Sequence, residues 1–353
     1  MRSDVATVDD LGAFDAVIDV RSPSEFAEDH VPGALNCPVL DDAERALVGT
    51  LYKQDSPFAA RRVGAAIVAR NIARHLDASL AAHPRGWRPL VYCWRGGKRS
   101  GAMTHVLREV GWDARQLDGG YKSYRRHVVA DLAVLPGRFA LRVICGLTGS
   151  GKSRLLAELA RQGAQVLDLE GMAAHRGSVL GALPDEPQPA QKRFESRLLE
   201  ALRALDFMKP VFVESESKKI GALHVPEALI ERMWASPCVR VETAPDGRVA
   251  LLMEEYAHFF VGREVLAARL KSLAPLHGHE TIGRWLQHVA AGQWEPLVAD
   301  LLARHYDPSY TRSITGHYPG YGTARRVYIA DISASAFAAA AREILSGEPV
   351  TAP

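Results

Sequence analysis

Cysteine is scarce: four occur in 353 residues, Cys37, Cys93, Cys145 and Cys238, and no two form a CxxC pair. Their wide spacing suggests neither a disulfide framework nor a zinc site. A reducing compartment suits such a chain, and any special cysteine would work as a free thiol. Long apolar runs are also missing. No segment approaches the ~20 residues of a membrane span, so no membrane partner is expected. The opening MRSDVATVDD carries acids and no apolar h-region, so no signal peptide is expected and the cytoplasm is the expected location. Charge of one sign is not in excess. The net charge is +2, so the chain is no polycation, and a nucleic-acid partner would have to be held by local basic patches. Internal repeats and low-complexity tracts are absent.

What is present is an ordinary globular composition, 47% hydrophobic and 24% charged. At ~150 residues per domain the length predicts two domains, each large enough for its own core. Two α/β segments are read from the pattern. In the first, strands are predicted at 16–20, 90–92 and 115–117, with helices over about 61–82, 100–110 and 124–133. Leu135-Pro136-Gly137 is the predicted boundary, giving domains 1–130 and 138–353. The second segment restarts with a strand at 141–145 and a helix over about 152–162. Short strands are predicted at 166–169 and 211–213. The proline-rich stretch 183–189 reads as a loop, helical patterns dominate from 227 onward, and the tail 347–353 is expected to fray.

Two motifs carry chemistry. Cys93-Trp94-Arg95-Gly96-Gly97-Lys98-Arg99-Ser100 lies between a buried strand and a helix. Glycines let such a loop curl until its amides point inward, and the helix adds its positive N-terminus. Arg95, Lys98 and Arg99 add cationic charge. A thiol in that bowl should be rich in thiolate and should attract an anionic donor. The other three cysteines lack this setting. Gly146-Leu147-Thr148-Gly149-Ser150-Gly151-Lys152-Ser153 matches G-x-x-x-x-G-K-S in full, with a strand before it and a helix after it. Its amides would cradle a di- or triphosphate, with Lys152 reaching the terminal phosphate and Ser153 binding Mg²⁺. Glu214 follows the strand at 211–213 and is placed like the metal-shell acid of such proteins, with Glu216 beside it. Asp168 and Glu170, after another strand, are secondary candidates. His175-Arg176-Gly177 and Ser217-Lys218-Lys219 add basic groups that could hold phosphate.

Asp19-Val20-Arg21, Glu25-Phe26, His30-Val31-Pro32-Gly33-Ala34, the Cys93 loop and Gly119-Gly120 resemble a rhodanese domain over about 13–124. One departure matters. The loop is a residue longer than the commoner C-x-x-G-x-R-S, a wider bowl that could suit a larger atom or a bulkier donor. The rhodanese segment followed by the P-loop, with Val48-Gly49-Thr50, Tyr52-Lys53-Gln54, Asp168-Leu169-Glu170-Gly171, His175-Arg176-Gly177-Ser178 and Tyr306-Asp307-Pro308, resembles the bacterial tRNA 2-selenouridine synthases over nearly the whole length. Residues 313–325 match nothing in that pattern.

The resemblance implies a rhodanese-like α/β domain followed by a P-loop NTPase-like α/β domain with a helical C-terminal part. It implies replacement of sulfur by selenium in wobble 2-thiouridine of tRNAs for Lys, Glu and Gln. Geranyl diphosphate first gives S-geranyl-2-thiouridine, and selenium from selenophosphate then displaces the geranylated sulfur. In this scheme Cys93, Arg95, Arg99 and Lys152 are catalytic. Gly146, Thr148, Gly149, Ser150, Gly151, Lys152 and Ser153 bind the diphosphate, and Ser153 and Glu214 hold Mg²⁺. A selenophosphate-supplying enzyme is a further partner. Two alternatives stay open: an ATP-dependent tRNA sulfurtransferase, and a non-catalytic persulfide-sensing, nucleotide-binding module. Arg125-Arg126, Lys218-Lys219 and Arg325-Arg326 are basic pairs, each as readily a solvated face as a tRNA contact.

Overall fold

The computed structural model describes residues 5–178 and 180–347. Of the tail expected to fray, 348–353 lies outside the described residues, as does the start of the opening segment. The chain divides into two compact units, one running to Asp131 and also containing Pro189–Glu200, the other formed by Leu132–Gln188 and the chain from Ala201 onward.

The first unit is built on a parallel sheet of β1 (Val5–Ala6), β2 (Ala16–Asp19), β3 (Leu35–Asn36), β4 (Pro89–Tyr92) and β5 (Arg115–Leu117), in the order β1-β5-β4-β2-β3. Every residue of β4 is buried, as expected of a central strand covered on both faces. Its core packs Ile18, Val20, Val39, Trp87 and Val91 against Met103, Leu107 and Trp112. At ~1.5–3 kcal/mol for each large apolar side chain fully buried, this cluster is a main source of the unit's stability. The chain leaves β2 towards β3 and returns through β4 towards β5. The switch point lies at the carboxyl ends of β2 and β4, where open α/β sheets place their sites.

Two helices join β3 to β4, Asp42–Gln54 and Pro57–Asp77. The sequence pattern does not show the first. The second begins before the predicted 61–82, because Ser56 caps it, accepting from the Ala59 amide at 3.1 Å, and Pro57 takes the first turn; it ends at Asp77. The helix Gln191–Arg203 is likewise absent from the sequence reading, and its residues through Glu200 belong to this unit rather than to the second domain expected there. Ser196 donates to Asp29 at 3.0 Å, Lys192 pairs with Glu28 at 2.7 Å, and Arg125 pairs with Glu195.

The second unit has β6 (Leu141–Cys145), β7 (Gln165–Leu167), β8 (Val211–Glu214), a small antiparallel pair β9 (Lys219–Ile220) and β10 (Leu223–His224), then β11 (Cys238–Thr243) and β12 (Arg325–Ile329). The main sheet is parallel, in the order β12-β11-β6-β8-β7. Two of its strands lie in the stretch read as helical from 227 onward. β11 closely follows a helix, Glu227–Trp234, and is interrupted by Arg240 and Glu242, and β12 is an edge strand with both arginines exposed, so neither shows a clean apolar run. The core holds Ile144, Leu155, Leu159, Phe212, Val241, Val327 and Phe337. A second, helical cluster gathers Phe259, Leu266, Leu270, Ile282, Trp285, Leu297 and Leu301. No helix among the described residues is long and apolar enough to cross a membrane.

Candidate functional site

Cys93 follows β4 at the carboxyl edge of the first sheet, and the helix Lys98–Glu109 follows its loop. The thiol is 4% exposed. Its sulfur accepts from the Gly97 amide at 3.3 Å and from the Ser100 hydroxyl at 3.1 Å. Burial pushes the thiol pKa up, but hydrogen bonds from Ser100, Gly97 and Arg95 outweigh it and the net shift is downward. The loop is pinned from below, where Tyr121 N–H donates to Cys93 O at 2.8 Å and Lys122 N–H to Trp94 O at 3.0 Å. Gly120 makes this approach possible: φ is +57°, and a Cβ there would collide with the Cys93 carbonyl.

The cations of the loop divide. The Arg95 side chain is exposed, and its contribution to the thiol is the backbone amide. Arg99 points away to Glu25, at 2.9 Å, and Arg45 joins the same carboxylate at 3.0 Å. Burial would raise the Glu25 pKa, but Arg99 and Arg45 hold it below the usual range, so Arg99 is a structural partner of a charged Glu25 here. Beneath them Arg21, fully buried, pairs with Asp19 at 2.6 Å, donates to Asp29 O at 2.7 Å and lies 3.9 Å over the Tyr121 ring. This network explains why Asp19, Arg21 and Asp29 sit inside a core that should exclude charge.

In the second unit Gly146–Ser153 curls from β6 into the helix Lys152–Arg161. Gly151 has φ +82° and its Cα faces the Phe337 ring, leaving no room for a Cβ. Lys152 Nζ donates back to Gly146 O at 2.9 Å and lies 5.3 Å from the Tyr310 ring centre. A cavity of about 860 Å³ opens beside the loop, lined by Thr148, Gly149, Gly151, Lys152 and Ser153. Buried Gly146 and Ser150 lie behind it, and the Ser150 hydroxyl has no partner among the described residues. His175, Arg176, Tyr256, His305, Tyr306 and Tyr310 are further lining residues.

Glu214 ends β8, and the structure adds Glu170 and Glu216 to it: the three carboxylates each offer an oxygen within 4.8 Å of the others. Ser153 Oγ donates to Glu170 at 3.0 Å and Glu214 at 3.3 Å. Burial and then the neighbouring Glu170 and Asp168 charges push the Glu214 pKa up to about 8. Burial raises Glu170 and Glu216 as well. Glu214 is fully buried and the other two are half-buried. With the serine hydroxyl they form an all-oxygen donor set, which fits Mg²⁺. Asp168 plays a different part and caps the helix Leu169–Ala173 through the Gly171 amide, at 2.8 Å.

Several residues of this site carry no signal in the sequence. Arg248, buried, donates to Thr148 O at 2.9 Å and pairs with Asp307, tying the phosphate loop to the C-terminal helices. Tyr310 O–H lies 3.0 Å from the Gly146 amide and 2.7 Å from the Ser215 hydroxyl. Tyr318 O–H donates to Glu216 O at 2.9 Å. The segment that matched no pattern therefore forms one wall of the cavity. Of these residues only Asp307 is marked by a motif, within Tyr306-Asp307-Pro308.

Comparison with known proteins bears on both sites. A family model described as the tRNA 2-selenouridine synthase AAA domain matches residues 139–288, and a rhodanese-like domain model matches 6–127. The tRNA 2-selenouridine synthase of Alcanivorax borkumensis is 34% identical over 345 residues, covering 88% of this chain and 92% of that protein. The chain belongs to the tRNA 2-selenouridine synthase family. The synthase of Nitrosomonas europaea is 37% identical over 268 residues, covering 72% of this chain and 68% of that one. That of Cupriavidus necator is 37% identical over 329 residues, covering 84% and 87%. The α/β architecture, with a rhodanese-like unit and then a P-loop unit, is that of an enzyme of this family.

Proposed function

We propose that the chain replaces sulfur by selenium in the wobble 2-thiouridine of tRNAs for Lys, Glu and Gln, by geranylation and then selenation. The observation that supports the geranyl step is a small apolar slot, about 40 Å³, beside the phosphate site. Leu180, Phe259, Phe260, Leu266, Leu297 and Leu301 line it, and Thr148, Leu252, Tyr256 and Tyr306 belong to both slot and cavity. A nucleoside bound there would bury ribose hydroxyls and base edges among hydrocarbon, at a cost of ~1–3 kcal/mol per unpaired group. A branched hydrocarbon tail needs no such partners, so the end of a prenyl chain suits the slot, with the rest of the chain and its diphosphate in the larger cavity.

The chemistry follows from this placement. The thiouridine sulfur attacks C1 of the geranyl group, the C1–O bond breaks, and the N3 proton is lost. Negative charge grows on the departing diphosphate, where Lys152, the loop amides and the helix N-terminus are aimed. Ser153, Glu170, Glu214 and Glu216 would hold Mg²⁺, which supplies further charge neutralisation for a diphosphate. Selenophosphate, an anion, suits the amide-lined Cys93 bowl. The family resemblance gives Cys93 the role of selenium carrier. Alkylation turns a poor leaving group into a good one: the selenium of selenophosphate bonds to C2, the C2–S bond breaks and geranylthiol leaves with a proton, and water then breaks the Se–P bond and carries the phosphoryl group away as phosphate.

The test is mass analysis of nucleosides from thiolated tRNA incubated with the protein. Geranyl diphosphate alone should yield S-geranyl-2-thiouridine, and added selenophosphate should yield 2-selenouridine. A product that requires ATP would replace this reading with the sulfurtransferase. No altered nucleoside would replace it with the persulfide-sensing module.

A further inference from the structure

We propose that the helical pair between β3 and β4 is an RNA-docking surface, with Tyr52 and Phe58 as stacking platforms for unpaired bases. The proposal rests on the tRNA substrate given above. The helix Asp42–Gln54 has no buried residue in 13, which is unusual for a helix that must gain its stability from packing. Its end and the start of the next helix present Tyr52, 58% exposed, and Phe58, 75% exposed. Large aromatic rings left in water at one turn call for a partner, and every base offers a π-face to such rings.

Charge selects the kind of partner. The helix Pro57–Asp77 carries Arg61, Arg62, Arg70 and Arg74 against one acid, Asp77. Lys53, Arg61, Arg62 and Arg70 have no carboxylate partner among the described residues. The acids at the start of the first helix are engaged: Asp41, its cap, accepts from the Glu44 amide at 2.7 Å, Asp42 from the Ser24 amide at 3.2 Å, and Glu44 from Asn71 at 2.7 Å. Aromatic rings interleaved with free cations form a surface for a phosphate backbone and its bases. The basic pairs singled out in the sequence are mostly committed elsewhere. Arg125 pairs with Glu195, Arg325 with Glu343, Arg326 lies 3.8 Å from Glu242, and Lys218 lies 5.3 Å over the Trp234 ring.

The surface is also connected to chemistry. Arg45 and Tyr52 are seven residues apart and share a helix face. Arg45 binds the Glu25 carboxylate that also holds Arg99 of the Cys93 loop. Seven residues span ~10 Å, so RNA stacked on Tyr52 lies within a few nucleotides of the cysteine loop.

The experiment measures binding of labelled unmodified tRNA to the full chain by fluorescence anisotropy across a salt series. Tyr52→Ala with Phe58→Ala should weaken binding by about tenfold or more, since stacking is worth ~1–3 kcal/mol per base. Tyr52→Phe with Phe58→Tyr keeps both rings and should bind as wild type. Arg61→Glu with Arg62→Glu should weaken binding and flatten the salt slope by ~2 phosphate contacts. All these side chains are exposed, so melting temperatures should not move. Wild-type affinity in both the alanine and the glutamate pairs would overturn the surface. Unchanged tRNA affinity together with altered sedimentation would overturn it in favour of a protein interface. A wild-type chain that binds no tRNA would overturn the tRNA reading itself and this surface with it.

Discussion

The downward pKa shift of the Cys93 thiol comes from hydrogen bonds rather than from cationic side chains. Ser100 O–H and the Gly97 amide point at its sulfur, while Arg99 is taken up by Glu25. Ser100→Ala should therefore raise the thiol pKa. The pH profile of iodoacetamide alkylation at Cys93, followed by peptide mass, should move to higher pH, and an unmoved profile would assign the activation elsewhere. The glutamate cluster gives a second expectation at this scale. A carboxyl near 4.3 in the unfolded chain is pushed up to about 8 at Glu214. It binds its proton more tightly when folded, so its contribution to stability is complete below ~4.3 and is lost as the pH rises through about 8. Metal-free protein should lose melting temperature between pH 5 and 8. Mg²⁺ should restore more of it at pH 8 than at pH 6, where binding must displace protons. Melts in chelator and in Mg²⁺ at both pH values check this, and an equal Mg²⁺ effect would remove these carboxylates from the metal site.

Elements are legible in the sequence where one pattern dominates. β4 is a short buried run between breakers, and the loop from β6 into its helix matches a complete motif. What is not legible depends on distant partners. Asp42–Gln54 shows only a weak apolar face, because it buries no residue fully and packs on the next helix through little more than Val48 and Leu51. β12 shows water two arginines and a tyrosine, so only its pairing with β11 makes it a strand. The helix Gln191–Arg203 follows the P-loop in sequence yet closes a buried carboxylate of the first unit. Asp29 Oδ2 accepts from Tyr121 at 2.8 Å and from Ser196 at 3.0 Å, and its other oxygen has no partner among the described residues. Ser196→Ala should cost ~1–3 kcal/mol, since the buried acid keeps one donor fewer. Urea unfolding followed by a probe in the first unit measures it, and an unchanged midpoint would show that the helix contributes little there.

On the proposed function, two anion sites stand in separate units, a thiol bowl on the first sheet and a phosphate loop on the second. That division predicts separable defects. Lys152→Ala would remove the charge-assisted contact proposed for the diphosphate, and losing one such group typically costs ~10²–10³ in rate. The variant should make little S-geranyl-2-thiouridine, yet convert geranylated tRNA to the selenium form when selenophosphate is supplied. Failure at both steps with normal tRNA binding would count against separate sites.

The most direct test of the two-site account is the nucleoside content of thiolated tRNA treated with Cys93→Ser protein, geranyl diphosphate and selenophosphate. Serine keeps the loop shape and removes the soft nucleophile. S-geranyl-2-thiouridine should accumulate and 2-selenouridine should not form. Loss of geranylation in a folded, tRNA-binding variant would contradict it, as would 2-selenouridine made at the wild-type rate.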